Sequence, residues 1–449
     1  MKLSLEEIGS RLEALGHDLG LDYYPVHFEE VPASFMMEIA VYGLPVRMPH
    51  WSFGVRYIYQ LVQHRMGNSR LFEVVFPGNP GRAYLAKGNS IPENTLVMAH
   101  VLGHADFSKN NDLFHRSQEE VGYRIVDQAA SHARRIAMAI EEYGQQCVEE
   151  VLDAALALEA QIDTFKGIRR PVSMQQGNKG NSDNLFQARF GDLPGEGLPS
   201  DEDESAQSGP AENDLLAFIA ENAPEMSGWE RDIFLAVRAE SVYFYPVFAC
   251  QIMNEGWACY WHARLLREAD FLAQGDYLDA IKTHSDVVRP HATGSQVSLS
   301  PNPYHVGFVM WEKIIEEQGL ERAFEIRKQD DDFSFVRNYL TEDLAAELDL
   351  FQYVAKKDGA VDVVEFDINE LREAILAPRY NFGAPAVCAD SVDVDGTLRL
   401  VHDHQTDGRG LDLRRSEKVL EYVHRVWRRP VSLDTVDARG APRQITCPA

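Results

Sequence analysis

The segment His100-Val101-Leu102-Gly103-His104 sets two imidazoles four residues apart. In a helix, side chains at i and i+4 share a face, so both rings can reach one ion, a usual way for a helix to hold zinc. The same spacing also suits two hydrogen-bonded structural histidines, since histidine is commonly part-buried. Further along, Met253-Asn254-Glu255-Gly256-Trp257-Ala258-Cys259-Tyr260-Trp261-His262 reads as helical. Glu255 and His262 are seven apart, two turns on one side. A carboxylate and an imidazole thus join a face rich in apolar residues, where a charged group needs a partner or a metal. For Glu255 that partner could be an arginine such as Arg238. The metal reading takes His100, His104 and Glu255 as ligands of zinc or another divalent cation, with Glu240, Asp106 or His262 as base or orienting group. His132, beside Arg134 and Arg135, reads as structural, while His50 and Lys109-Asn110-Asn111 are candidates to surround the site.

Other chemistries lack their signals. No Gly-x4-Gly-Lys-Ser/Thr loop occurs, and no Gly-x-Gly-x-x-Gly opens a helix after a strand, so nucleotide binding has no support. A Gly-x-Ser-x-Gly elbow is missing too, which removes the usual serine hydrolase signal.

The elements that must position these residues read as mostly helical. Met1–Gly20 is amphipathic through Leu5, Ile8, Leu12 and Leu15, and Asp22–Pro49 reads as irregular or short extended structure. Leu71–Phe76 and Ala83–Ala86 read as strands around the turn Pro77-Gly78-Asn79-Pro80-Gly81, with a helix from an Asn94 cap to about Ala105 directly after. Helical periodicity runs from Gln118 to about Lys166, resumes at Asp214, and covers Glu230–Tyr243, Val247–Ala269 and His305–Gln318. Near the end, Asp367-x-x-Glu370 has capping-box form. Val387–Val394 and Thr397–His402 flank Asp395-Gly396 as a hairpin, followed by a helix over Ser416–Trp427 and an extended Val431–Leu433. The expected fold is mainly α, with a small β-hairpin region before the His-bearing helix and a small C-terminal α+β module. Four parts follow: 1–170, a mixed and helical part with the two-histidine helix; 171–213, an acidic flexible linker or insert; 214–359, a helical part; and 360–449, the α+β module. The linker assignment rests on composition, because Gly191–Asp214 carries eight acidic residues and no basic one.

With 449 residues the chain exceeds one ordinary core. Its 45% hydrophobic and 25% charged residues place it among folded globular proteins rather than disordered ones. A net charge of −27 repels polyphosphates and anionic headgroups, which argues against nucleic acid. No run of about 18 uncharged apolar residues exists, so no membrane span is expected. The first residues lack a secretory pattern, and the five cysteines, Cys147, Cys250, Cys259, Cys388 and Cys447, form no CxxC pair. A reducing cytoplasmic setting is the expectation.

Taken in order, His50-Trp51-Ser52-Phe53-Gly54, Asn79-Pro80 with Ala83-Tyr84-Leu85, His100 to Phe107, Lys109-Asn110-Asn111, Asn254 to Ala258 with Trp261-His262, and Asn302-Pro303-Tyr304 resemble the stage V sporulation protein R (SpoVR) family. Arg337 to Thr341 and Trp427 to Val431 extend the likeness, which runs from about residue 20 to 435. The resemblance implies a role in spore cortex or stress-response pathways, in association with a PrkA-type serine protein kinase and a von Willebrand A-like protein. A fainter similarity is to zincin-type metallopeptidases, in which a strand precedes a helix with two histidines four apart and a later Glu-Gly-Trp-Ala segment supplies the third ligand. Here Val101 stands where their general-base glutamate follows the first histidine. Two functions therefore stand side by side: a metal-dependent hydrolase, and a non-enzymatic regulatory or assembly factor in which the same residues form a structural metal site or a buried polar network.

Overall fold

A computed structural model describes residues 3–44, 46–65, 73–164, 212–288, 302–350, 352–355, 361–364 and 367–447. Among the described residues the chain is mainly helical with three small sheets. A capping box of Ser4 and Glu7 opens helix α1 (Leu5–Asp18). Strand β1 (Val26–Val31) leads into α2 (Ala33–Tyr42) and α3 (Trp51–Arg65), so much of the stretch expected to be irregular is helical. Pro32 and the left-handed Gly43 bound α2, and these are ordinary start and stop signals for a helix.

Strands β2 (Glu73–Phe76) and β3 (Gly81–Ala86) form the expected antiparallel hairpin. Strand β1 joins it in parallel on the other side of β3, giving the order β1-β3-β2. Helix α4 (Ile91–Asn110) follows at once and is longer than the sequence suggests. Ser90 and Glu93 cap it reciprocally, as a Ser-x-x-Glu box does, while Asn94 lies buried inside the helix. Then come α5 (Asp112–Val121), α6 (Ile125–Tyr143) and α7 (Gln145–Ala157).

The segment assigned as linker, 171–213, falls almost entirely outside the described residues. After it come α8 (Leu215–Asn222), α9 (Gly228–Ala249) and α10 (Gln251–Glu268), the last two meeting at a 63° bend just past Pro246. No single helix among the described residues is long and apolar enough to cross a membrane. Helices α11 (Gln274–Val287), α12 (Pro303–Gln318), α13 (Leu320–Gln329), α14 (Asp332–Tyr339) and α15 (Glu342–Glu347) complete the middle of the chain. A two-stranded ladder, β4 (Gln352–Ala355) with β5 (Val361–Val364), precedes α16 (Ile368–Leu376).

The C-terminal α+β module pairs β6 (Val387–Val392) with β7 (Leu398–His402) about a positive-φ Gly396, which a tight hairpin turn there requires. Strand β8 (Val431–Val436) runs parallel to β7 and pairs with β9 (Pro442–Cys447). The short α17 (His404–Asp407) and the amphipathic α18 (Leu413–Trp427) make the crossover that a parallel pair needs.

Two apolar cores result. One gathers Phe53, Ile136, Leu152, Phe234, Val237 and Trp427, joining α3, α6, α7 and α9 to the C-terminal module. The other gathers Leu12, Leu102, Phe107, Trp257, Trp311 and Phe335, and its axis is α4 against α10 and α12.

Candidate metal centre

Helix α4 presents His100 and His104 on one face, with ring centroids 4.5 Å apart. Helix α10 is brought onto that face by small residues. A Cβ on Gly103 would lie 2.7 Å from the Ala258 Cα, and one on Gly256 would lie 2.2 Å from the Gly307 carbonyl carbon on α12. Only glycine permits either crossing. The start of α10 is fixed from outside: the buried Asp332 of α14 accepts the Ile252 and Met253 N–H groups, each at 2.9 Å. Trp311 of α12 donates to the Met253 carbonyl. The stretch Asn254 to Ala258 thus has a task at each position: Asn254 meets His104, Glu255 faces both histidines, Gly256 admits α12, Trp257 bonds Asp106 and Ala258 seats Gly103.

Glu255 Oε2 lies 3.5 Å from His100 Nε2 and 3.4 Å from His104 Nε2. These separations match the edges of a tetrahedron with metal bonds near 2 Å, roughly 3.3 Å. All three ligand atoms lie within 4.8 Å of one another. The outer nitrogens are engaged elsewhere: His104 Nδ1 is 2.9 Å from Asn254 Oδ1, and His100 Nδ1 is 2.9 Å from His262 Nδ1. Asn254 Oδ1 can only accept, so His104 carries a proton on Nδ1, and its Nε2 faces Glu255. His100 Nε2 faces Glu255 in the same way while its Nδ1 is held by His262, and outer nitrogens so engaged are typical of metal-bound histidine. Glu255 Oε2 itself is buried without a hydrogen-bond partner. Two imidazole Nε2 atoms and a carboxylate oxygen converging on one point can serve as the donor set of a cation, and these residues fit a divalent metal.

The electrostatics agree. Burial alone would push the Glu255 carboxyl up, but His104 and His100 outweigh it and hold it at about 2. Burial lowers His100 below the usual imidazole range, with His104 adding to it against the pull of Glu255 and the Ala258 carbonyl. The carboxylate is thus kept ionised and His100 neutral, which are the ligating forms. Approach is from one side, since the Glu255 side chain retains 19% exposure and His104 11%, against 4% for His100.

The remaining candidates lie in other surroundings. His262 joins the cluster behind His100, and its Nε2 lies 2.6 Å from Nδ1 of the half-buried His284 on α11. Burial lowers His262 far below its ordinary value and, with the charges of His100 and Arg267, brings His284 to about 4. Asp106 faces away from the pair, accepting from Trp257 at 2.9 Å, Arg327 at 3.0 Å and the Asp22 N–H at 2.9 Å. Burial raises its carboxyl to about 6 against those partners. Glu240, on α9, belongs to the other core: Arg47 Nε donates to Oε2 at 2.7 Å and His132 Nδ1 stands 3.5 Å from Oε1. No contact among the described residues joins Glu240 to Glu255. Arg238, the alternative partner for Glu255, pairs instead with Asp214 and Glu120.

Sequence reasoning passed over Asn254, His284, Cys259 and Asp332. Asn254 and Cys259 sit within the quoted α10 segment, and Cys259 forms a second compact ligand group with His100 and His262. His284 and Asp332 carry no local signal, because their partners lie 22 and 80 residues away.

Comparison with known proteins adds kinship. The family model described as SpoVR like protein matches residues 2–382, and that of the SpoVR-like C-terminal domain matches residues 385–438. The uncharacterised protein YcgB of Escherichia coli (strain K12) is 30% identical over 464 residues, covering 94% of this chain and 89% of that one. No solved structure matches the chain.

Proposed function

We propose that this chain, which belongs to the SpoVR-like protein family, binds one divalent cation of the zinc class through His100, His104 and Glu255 and serves metal-dependent hydrolysis. The observation that carries the reading is the convergence of two imidazole Nε2 atoms on a buried carboxylate oxygen that has no other partner. Three protein ligands with access from one side resemble catalytic zinc sites, which keep an open position, rather than closed four-ligand structural ones. A bound zinc ion would supply Lewis acidity and lower the pKa of a coordinated water.

The chain's own residues hold the ligands in place. Asn254 and His262 fix the imidazole orientations, and Asp332 fixes the start of the helix that carries Glu255. The order of hairpin, two-histidine helix and later Glu-Gly-Trp-Ala segment supports a likeness to zincins in ligand arrangement, without their general base. A spore cortex or stress-response setting, a peptidoglycan-related substrate and partnership with a serine protein kinase and a von Willebrand A-like protein follow from the family resemblance alone.

A second reading has an observation in its favour. Asp106 and His262 are hydrogen-bonded within the protein and Glu240 lies in the other core beside Arg47 and His132, so none of the three stands at the site as a free general base. On that reading the ion is structural, and the protein is a regulatory or assembly factor. Cobalt substitution separates the two. The hydrolase reading expects the visible d–d spectrum of the cobalt-loaded protein to shift on adding azide, which enters an open coordination position. A spectrum unchanged by azide would leave the ion fully ligated by protein and favour the regulatory reading.

A further inference from the structure

We propose that the seam between the helical body and the C-terminal module is a binding site for an anionic amphiphile, a medium-chain fatty acid. A cavity of about 420 Å³ lies there, within the size range of small-molecule sites, and such sites favour domain junctions. It sits where the two family matches meet, the first ending at residue 382 and the second starting at 385. This inference is independent of the metal centre.

The walls are apolar. Leu158 follows the end of α7, Leu215 opens α8, Leu400 and Leu433 come from β7 and β8, and Leu420 and Val423 come from α18. Polar groups that reach the cavity wall are already engaged. Gln161 donates from Nε2 to the Pro385 carbonyl at 2.7 Å and accepts the Val387 N–H on Oε1 at 3.1 Å. Asp412 caps α18 by accepting the Arg414 and Arg415 N–H groups, and Ser416 Oγ donates to the Asp412 carbonyl. A polar ligand body would find no free partner along these walls, whereas an alkyl chain would exchange water for apolar contact.

Two guanidinium groups are among the lining residues. Arg409 is exposed and donates through Nη2 to the Gly383 carbonyl at 2.8 Å, which leaves other N–H groups for a ligand. Arg415 is 89% exposed and only loosely paired with Asp412, at 3.6 Å. Against the one lining carboxylate, Asp412, the two guanidinium groups leave a net positive lining in a chain of net charge −27, and a carboxylate head is its complement. The occupant therefore has an apolar tail and an anionic head.

Titration calorimetry of the full chain with decanoate, and with decanol as the uncharged control, tests this. Saturable binding of decanoate is expected, about tenfold tighter than decanol, because charge-assisted hydrogen bonds favour the acid. The exposed double variant R409Q/R415Q should remove that preference while keeping the fold. Val419→Trp, which places an indole against the cavity from the half-buried face of α18, should abolish binding of both ligands, with circular dichroism and melting confirming a folded chain. Absence of saturable decanoate binding would overturn the proposal. So would equal affinity for acid and alcohol, or undiminished binding by a folded Val419→Trp variant.

Discussion

Glu240 is fully buried and Glu255 part-buried, and what each faces decides its part. Glu240 meets a guanidinium, so its charge is compensated within the fold. Glu255 meets two imidazoles whose outer nitrogens are held by His262 and Asn254, the arrangement that on the proposed reading holds a cation. Glu240→Gln should therefore leave metal content unchanged and instead destabilise the chain by about 2 kcal/mol, because it removes the closer of the two carboxylates paired with Arg47, Glu159 standing 3.6 Å away. Urea unfolding read beside elemental analysis checks both halves, and loss of metal at unchanged stability would place Glu240 at the site after all. The pairing of His100 with His104 is legible from spacing alone, and Glu255 as a candidate third member from a charged residue on an apolar face. What the sequence hides is the difference between the two acids, because Arg47 lies 193 residues from Glu240 and His104 lies 150 from Asn254. Local periodicity carries no record of such pairings.

At the scale of elements, the centre depends on how closely α4, α10 and α12 approach. Gly256→Ala would press a methyl group into the Gly307 backbone, where a Cβ would stand 2.2 Å from the carbonyl carbon and 2.4 Å from the Cα. The expected cost is about 3 kcal/mol or more, with weakened metal binding because Glu255 is the neighbouring residue. Thermal melting and metal titration measure the two effects, and a variant as stable as the parent would contradict the packing described. Asp332 gives a second handle on α10. Burial raises its carboxyl to about 7 against the pull of Arg379 and the two backbone N–H groups, above an unfolded value of about 4. The protonated form is thus relatively favoured in the fold, and its contribution is fully present below about pH 4 and declines as pH rises toward about 7. The stability advantage of the parent over Asp332→Asn should shrink across that interval, as paired urea melts at its two ends would show. A constant or growing advantage would mean the carboxylate stays ionised throughout. Long helices with clear caps, such as Pro303–Gln318, are legible from sequence. Helix α2 is harder to read because it is apolar nearly all round, so only Pro32 and Gly43 mark it. The start of α4 lies in the Ser90-x-x-Glu93 box rather than at Asn94, a choice between two capping residues that the structure resolves through the reciprocal bonds of Ser90.

Over the whole molecule, a chain of net charge −27 holds a centre in which two imidazoles and one carboxylate converge inside an apolar core. The halves that build it are far apart in sequence, His100 lying 162 residues before His262, and the fold brings them together by stacking α10 between α4 and α12. The mainly helical character and the C-terminal α+β module follow from periodicity and turn chemistry. The division into two cores does not, because the C-terminal module shares a core with α7 and α9 rather than closing on itself. The central claim is that the chain is a metalloprotein by virtue of His100, His104 and Glu255. Elemental analysis of protein purified without an affinity tag tests it most directly, alongside His100→Ala and Glu255→Gln. The account predicts about one divalent ion per chain in the parent and a small fraction of that in either folded variant. A parent free of metal after growth and dialysis with added zinc, or variants that retain the full complement, would contradict it.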